Sequence, residues 1–122
     1  MTPDALQRFV ILHHAAPAGE HWDLMLETGD RLATWQLLSA PTGAAACPIE
    51  CVRIGEHRKL YLDYEGPISR GRGEVRRVDQ GTYTLRSRAD DEWIVTLHGE
   101  TLIGEFRLRH TGDGERWVLA KH

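Results

Sequence analysis

Residues 81–110 read GTYTLRSRADDEWIVTLHGETLIGEFRLRH. Three runs rich in β-branched or aromatic residues, Gly81–Arg88, Glu92–His98 and Ile103–His110, are separated by Ala89-Asp90-Asp91 and by Gly99-Glu100. Runs of this kind, bounded by turn-forming residues, are strands joined by hairpins. The same alternation extends outward in both directions. Arg8–His13, His21–Glu27, Leu32–Leu37, Val52–Ile54, Lys59–Tyr64, Gly73–Asp79 and Trp117–Ala120 are further candidate strands. Thr28-Gly29-Asp30, Asp79-Gln80-Gly81 and Thr111-Gly112-Asp113-Gly114 are further turns. Helical period is absent apart from one short turn expected over Met1–Gln7, and Ser39–Ile49 is the longest irregular stretch. Many short strands linked by sequential hairpins imply an all-β fold, a closed antiparallel barrel of about eight strands with short flanking turns. No linker or repeat divides the chain, so residues 1–122 are expected to form one domain.

Composition narrows the function classes. With 122 residues, 41% hydrophobic and 27% charged, the chain can bury one core without disulfides. No apolar run approaches the roughly 18 residues of a membrane span, and Phe9–Leu12 is too short for a signal-peptide core, so a cytoplasmic location is expected. Cys47 and Cys51 lie four apart with no second pair, which argues for reduced thiols rather than a four-ligand zinc site. The net charge of −3 excludes a protein that coats nucleic acid nonspecifically. That charge is unevenly spread. Residues 53–88 carry nine basic side chains against five acidic ones, whereas residues 1–50 carry two against six. A basic face in the middle third is suited to a phosphate backbone.

The segment 13–27, HHAAPAGEHWDLMLE, carries the densest chemistry. Alternate residues of a strand share a face, so His21 and Asp23 point one way while Trp22, Leu24 and Leu26 point the other. A histidine arriving from the preceding strand across a tight Pro/Gly loop completes a His/His/Asp set able to bind a divalent ion such as Mn²⁺ or Zn²⁺. Taken alone, a His-x-Asp on a strand is more often a surface pair than a metal site. A second cluster runs from His57 to Gly66, where His57, Tyr61 and the Arg58-Lys59 pair are candidates for binding phosphate oxygens or protonating a leaving group. By themselves these residues also fit a half-exposed strand. Trp22, Trp35, Trp93 and Trp117 are expected in the core or at its rim.

Taken in order, the motifs resemble the 3′-phosphoesterase domain of bacterial DNA ligase D. Phe9-Val10-Ile11 leading to His14, then His21-Trp22-Asp23-Leu24, is similar to the family's opening metal motif. His57-x-x-x-Tyr61 followed by Asp63-Tyr64-Glu65-Gly66-Pro67-Ile68 resembles its second motif, and Gly81-Thr82-Tyr83, Leu97–Gly104 and Trp117–Lys121 follow in the family's order. The resemblance implies a manganese-dependent enzyme that removes a 3′-ribonucleoside or 3′-phosphate from nucleic-acid 3′ ends during DNA end repair, with ligase or polymerase partners supplied in trans. It places the metal on His14, His21 and Asp23, with His13 as the alternative to His14, and Zn or another first-row ion as the alternative metal. His57 and Tyr61 would contact the scissile phosphate.

The chain departs from the family pattern at several points. Leu12 replaces a Gln, Met25 replaces a phosphate-binding Arg, and the loop 39–49 holds no basic residue. Arg53, Arg58, Lys59, Arg70 and Arg72 are the candidate substitutes for the missing phosphate grip. Two rival functions follow from the same departures: a barrel that binds metal or nucleic acid without catalysis, and a hydrolase of a small phosphorylated metabolite.

Overall fold

The structure, a computed structural model, describes residues 7–122, so the turn expected at Met1–Gln7 lies outside the described residues except for Gln7, which opens a strand. Nine strands follow in order: β1 (Gln7–Ala16), β2 (Gly19–Thr28), β3 (Arg31–Leu37), β4 (Ile49–Arg58), β5 (Gly66–Pro67), β6 (Glu74–Ala89), β7 (Glu92–His98), β8 (Ile103–His110) and β9 (Arg116–Lys121). The sheet order is β1-β2-β3-β4-β9-β8-β7-β6-β5, and β1 also pairs with β6. That pairing closes eight strands into the expected antiparallel barrel, and closure leaves no long unpaired edge. The short β5 adds to the outside of β6 at Val75 and Glu74. Among the described residues no helix is long and apolar enough to cross a membrane.

The interior is filled, not hollow. Phe9 and Ile11, Leu24 and Leu26, Trp35 and Leu37, Val95 and Leu97, Phe106 and Leu108, and Trp117 and Leu119 alternate inward around the barrel. Trp35 meets Trp93 and Trp117 edge to face, with ring centres 5.1 and 5.6 Å apart. A second buried cluster, Val10, Leu12, Met25, Leu32 and Val75 with Leu62, comes from the opposite faces of β1, β2, β3 and β6 and from the segment after β4. It lies on the outer wall of the barrel, roofed by Tyr61, Tyr64 and Ile68.

Three local expectations fail for identifiable reasons. Lys59–Tyr64 is not a strand. Lys59–Leu62 forms a 3-10 turn, because Leu62 and its aromatic neighbours pack on the outer cluster and have no strand partner. Asp79-Gln80-Gly81 is not a turn but the middle of the 16-residue β6. The Asp79 carboxylate reaches the loop after β7 instead, accepting from the N–H groups of Glu100 (2.7 Å), Thr101 (3.1 Å) and Leu102 (2.8 Å). Gly81 is needed there because a Cβ would lie 2.0 Å from the His98 carbonyl oxygen. Finally, β4 extends well beyond Val52–Ile54, which puts His57 and Arg58 on the sheet. At Val78 the β1–β6 register slips by one residue. Below this bulge, β6 turns Val75 outward to the second cluster, whereas Tyr83 above it faces the core. Both cysteines are free thiols, and burial pushes that of Cys51 up to about 12.

Candidate metal and phosphate site

His14 and His21 are direct cross-strand partners on β1 and β2, and Leu12 lies opposite Asp23. The two-residue alternation of both strands therefore sends His14, His21, Asp23 and Met25 to the outer face, beside the roofed cluster. His14 Nδ1 lies 3.2 Å from His21 Nε2, and His21 Nε2 lies 3.2 Å from Asp23 Oδ1. One donor atom from each residue falls within 4.8 Å of the others. Two donors held about 2.1 Å from a common ion are separated by about 3.0–3.4 Å in octahedral or tetrahedral geometry, which the His14–His21 and His21–Asp23 pairs match.

One hydrogen bond sets the tautomer of His14. His14 Nε2 donates to the Arg72 carbonyl at 2.7 Å, since a carbonyl only accepts. In the neutral imidazole this leaves Nδ1 as a lone pair facing His21, the tautomer a metal requires. Asp23 is only 4% exposed, and its Oδ1 meets the imidazole of His21, whose Nε2 is 3.2 Å away. Two imidazole nitrogens and a buried carboxylate oxygen gathered at one point are the donor types that a first-row divalent ion takes, so the set fits such an ion. Asp23 raises the pKa of the His21 imidazole, partly opposed by burial. The Gln36 side-chain nitrogen, on β3, also reaches His21 Nε2 at 3.3 Å. Sequence reasoning missed Gln36, although the inward Trp35 and Leu37 on either side of it were a signal that it points outward with Asp23.

A pocket of about 110 Å³ opens beside His14 and Asp23, with Met25 and Val75 in its apolar wall and His57, Tyr61 and Arg72 around it. His57 Nδ1 donates to the Gly55 carbonyl at 3.0 Å, which leaves Nε2 available for proton transfer. Its ring meets Tyr61 edge to face at 5.7 Å. His13 is elsewhere: it stacks on Trp22 at 5.2 Å and pairs with Glu20 at 2.7 Å, outside the three-residue cluster.

Residues 12–110 match the model of the DNA Ligase D 3′-phosphoesterase domain. The chain belongs to this family. It is 28% identical over 95% of its length to the multifunctional non-homologous end joining protein LigD of Pseudomonas aeruginosa. It is 30% identical over 91% of its length to the protein of the same name from Mycolicibacterium smegmatis. The chain spans only 15% and 16% of those relatives.

The cations expected to grip phosphate separate on this 3′-phosphoesterase fold. Arg72 lines the pocket, and Arg58 lines the neighbouring cleft. Lys59 instead pairs with Glu27 at 2.8 Å. Arg70 is exposed in the turn before β6 with a φ of 64°, and does not line the pocket. Arg53 is not brought to the site at all. Its guanidinium sits over the rings of Trp35, Trp93 and Trp117, 4.5, 5.3 and 5.7 Å from their centres. The β4 alternation turns it toward the tryptophan core, where it is a structural cation.

Proposed function

We propose that this chain is a metal-dependent phosphoesterase acting on nucleic-acid 3′ ends, with His14, His21 and Asp23 as its metal ligands. The observation that carries this reading is the buried Asp23 carboxylate clustered with two imidazole nitrogens, all within 4.8 Å of one another, beside a pocket lined by His57 and Arg72. When bound, a divalent ion such as Mn²⁺ supplies positive charge that polarises a phosphoryl oxygen. The protein's own groups supply the rest. Arg72 offers charge-assisted hydrogen bonds to the phosphate. Water attacks phosphorus as the P–O bond to the departing oxygen breaks, and His57 Nε2, in its protonated form, donates the proton that oxygen takes up. Tyr61 packs against the His57 ring to hold its orientation. The buried apolar wall of Met25 and Val75 limits water around the phosphate and strengthens each of these interactions.

The relatives are named as end-joining proteins, so the substrate in this reading is a primer–template end carrying a 3′-ribonucleotide or a 3′-phosphate, with ligase and polymerase steps provided by other activities. The test is incubation of such a labelled end with Mn²⁺, wild type beside His21→Ala. Wild type is expected to trim the end to a 3′-hydroxyl, and His21→Ala to lose about 10²-fold or more in rate. Absence of trimming by the wild type overturns the reading. Retained salt-sensitive DNA binding without trimming would mark a binding barrel instead.

A further inference from the structure

Beside the metal pocket lies a second cleft of about 250 Å³. The two are contiguous, since Tyr61, Ile68 and Arg72 line both. The second cleft has two kinds of wall. Tyr61 and Tyr64 meet edge to face at 6.0 Å, and Leu60 remains 45% exposed at its margin. Against these apolar surfaces stand two guanidinium groups, Arg58 and Arg72, and no carboxylate lines the cleft among the described residues. Arg72 is fixed from both ends. Its Nε and Nη2 donate to the Ser69 carbonyl and hydroxyl oxygens at 2.9 and 3.1 Å, while its own carbonyl accepts from the candidate ligand His14.

We infer that this second cleft is a nucleoside subsite, holding the base and sugar attached to the phosphate that Arg72 grips in the first pocket. The inference rests on the phosphoesterase reading above and adds to it how the substrate is recognised. Flat apolar and aromatic surfaces bind a base by contact without reading its edges, so the subsite accepts any base. Arg72 stands at the junction and bonds the phosphate, where a guanidinium gives directional, charge-assisted contacts. Arg58 flanks the nucleoside and attracts the next phosphate of a chain. Leu60 is the specificity-determining side chain, because an apolar residue left in water is covered only when a base lies on it.

The experiment compares thymidine 3′-monophosphate with methyl phosphate, which carries the same charge without a nucleoside, by calorimetric titration of the full chain with Mn²⁺ present. Wild type is expected to bind the nucleotide at least about tenfold more tightly. Leu60→Ala, at an exposed position outside the core, is expected to shrink that ratio to about twofold. Arg72→Ala is expected to weaken both ligands by a similar factor. Equal affinities in the wild type, an unchanged ratio in Leu60→Ala, or binding of neither ligand overturns the subsite. Primer trimming separates the two readings. Trimming without a nucleotide preference removes the subsite alone, whereas a Leu60-dependent preference without trimming removes the phosphoesterase reading and leaves the subsite standing.

Discussion

The barrel interior and the roofed patch on its outer wall are built from the same strands, yet they solve opposite problems. Inside, Phe9, Ile11, Leu24 and Leu26 join three tryptophans in an apolar mass, and the carboxylate buried beside it, Asp79, has its oxygens met by backbone N–H groups. Outside, Val10, Leu12 and Met25 from those same strands make a smaller apolar floor that carries a buried carboxylate facing an imidazole. The difference lies in the compensation. Asp79 is satisfied by the fold itself, so it stiffens a loop. Asp23 meets the His21 imidazole at 3.2 Å and, on the reading proposed above, a cation as well.

The largest effect should come from the interior. Trp35→Ala removes a fully buried indole that touches Trp93 and Trp117 and supports Arg53, and is expected to cost about 3–5 kcal/mol, much of a small domain's stability. Urea unfolding followed by tryptophan fluorescence measures it. A loss below about 1 kcal/mol would mean that the interior does not hold the fold together. The outer patch should respond in the reverse sense. Asp23→Asn removes a buried charge, so without metal the variant is expected to be as stable as wild type or more stable, by up to about 2 kcal/mol. Saturating Mn²⁺ should raise the wild-type Tm by roughly 10 °C at about a hundred times its Kd, and leave Asp23→Asn almost unmoved. Calorimetry with and without chelator checks both halves. An Asp23→Asn protein that keeps the Mn²⁺ shift would sever the patch from metal binding.

The sequence discloses the interior more readily than the patch. Period-two alternation and hairpin residues mark β7, β8 and the turn at Gly29-Asp30 because those features are local. They fail at Asp79-Gln80-Gly81, where turn-type residues serve a contact with residues 100–102, more than twenty positions away. They fail again at Lys59–Leu62, whose strand-like pattern is overridden by packing against β1, β2 and β6. At the site, His21 and Asp23 are two apart on one strand and readable from spacing. His13 and His14 are adjacent in sequence, and it is strand pairing that sets His14 opposite His21 and His13 opposite Trp22. Gln36 and the Arg72 carbonyl join only through cross-strand register and loop return, which no local pattern encodes. Among the arginines, sequence gives charge but not direction. Arg53 and Arg72 look equivalent until the strand and the loop aim one at the tryptophans and the other at the pocket.

The smallest effect belongs to the seam between the two regions, where Glu27 ends the outward row of β2. Burial is the largest single influence on its carboxyl and pushes the pKa up. The Lys59 ammonium at 2.8 Å, the Arg8 backbone N–H at 2.9 Å and the charges of both cations together hold it below its ordinary 4.5. A carboxyl lowered on folding adds stability above its ordinary value, and that stability is lost as pH falls through the lowered one. Wild type is therefore expected to lose stability more steeply than Glu27→Gln below about pH 4.5. Because Lys59 is 44% exposed, the difference at neutral pH should stay below about 1 kcal/mol. Denaturant midpoints measured from pH 7 to pH 3 test this. Parallel curves for the two proteins would show that the Lys59 turn is held over the barrel by Leu62 and its apolar contacts alone, with no contribution from the ion pair at the seam.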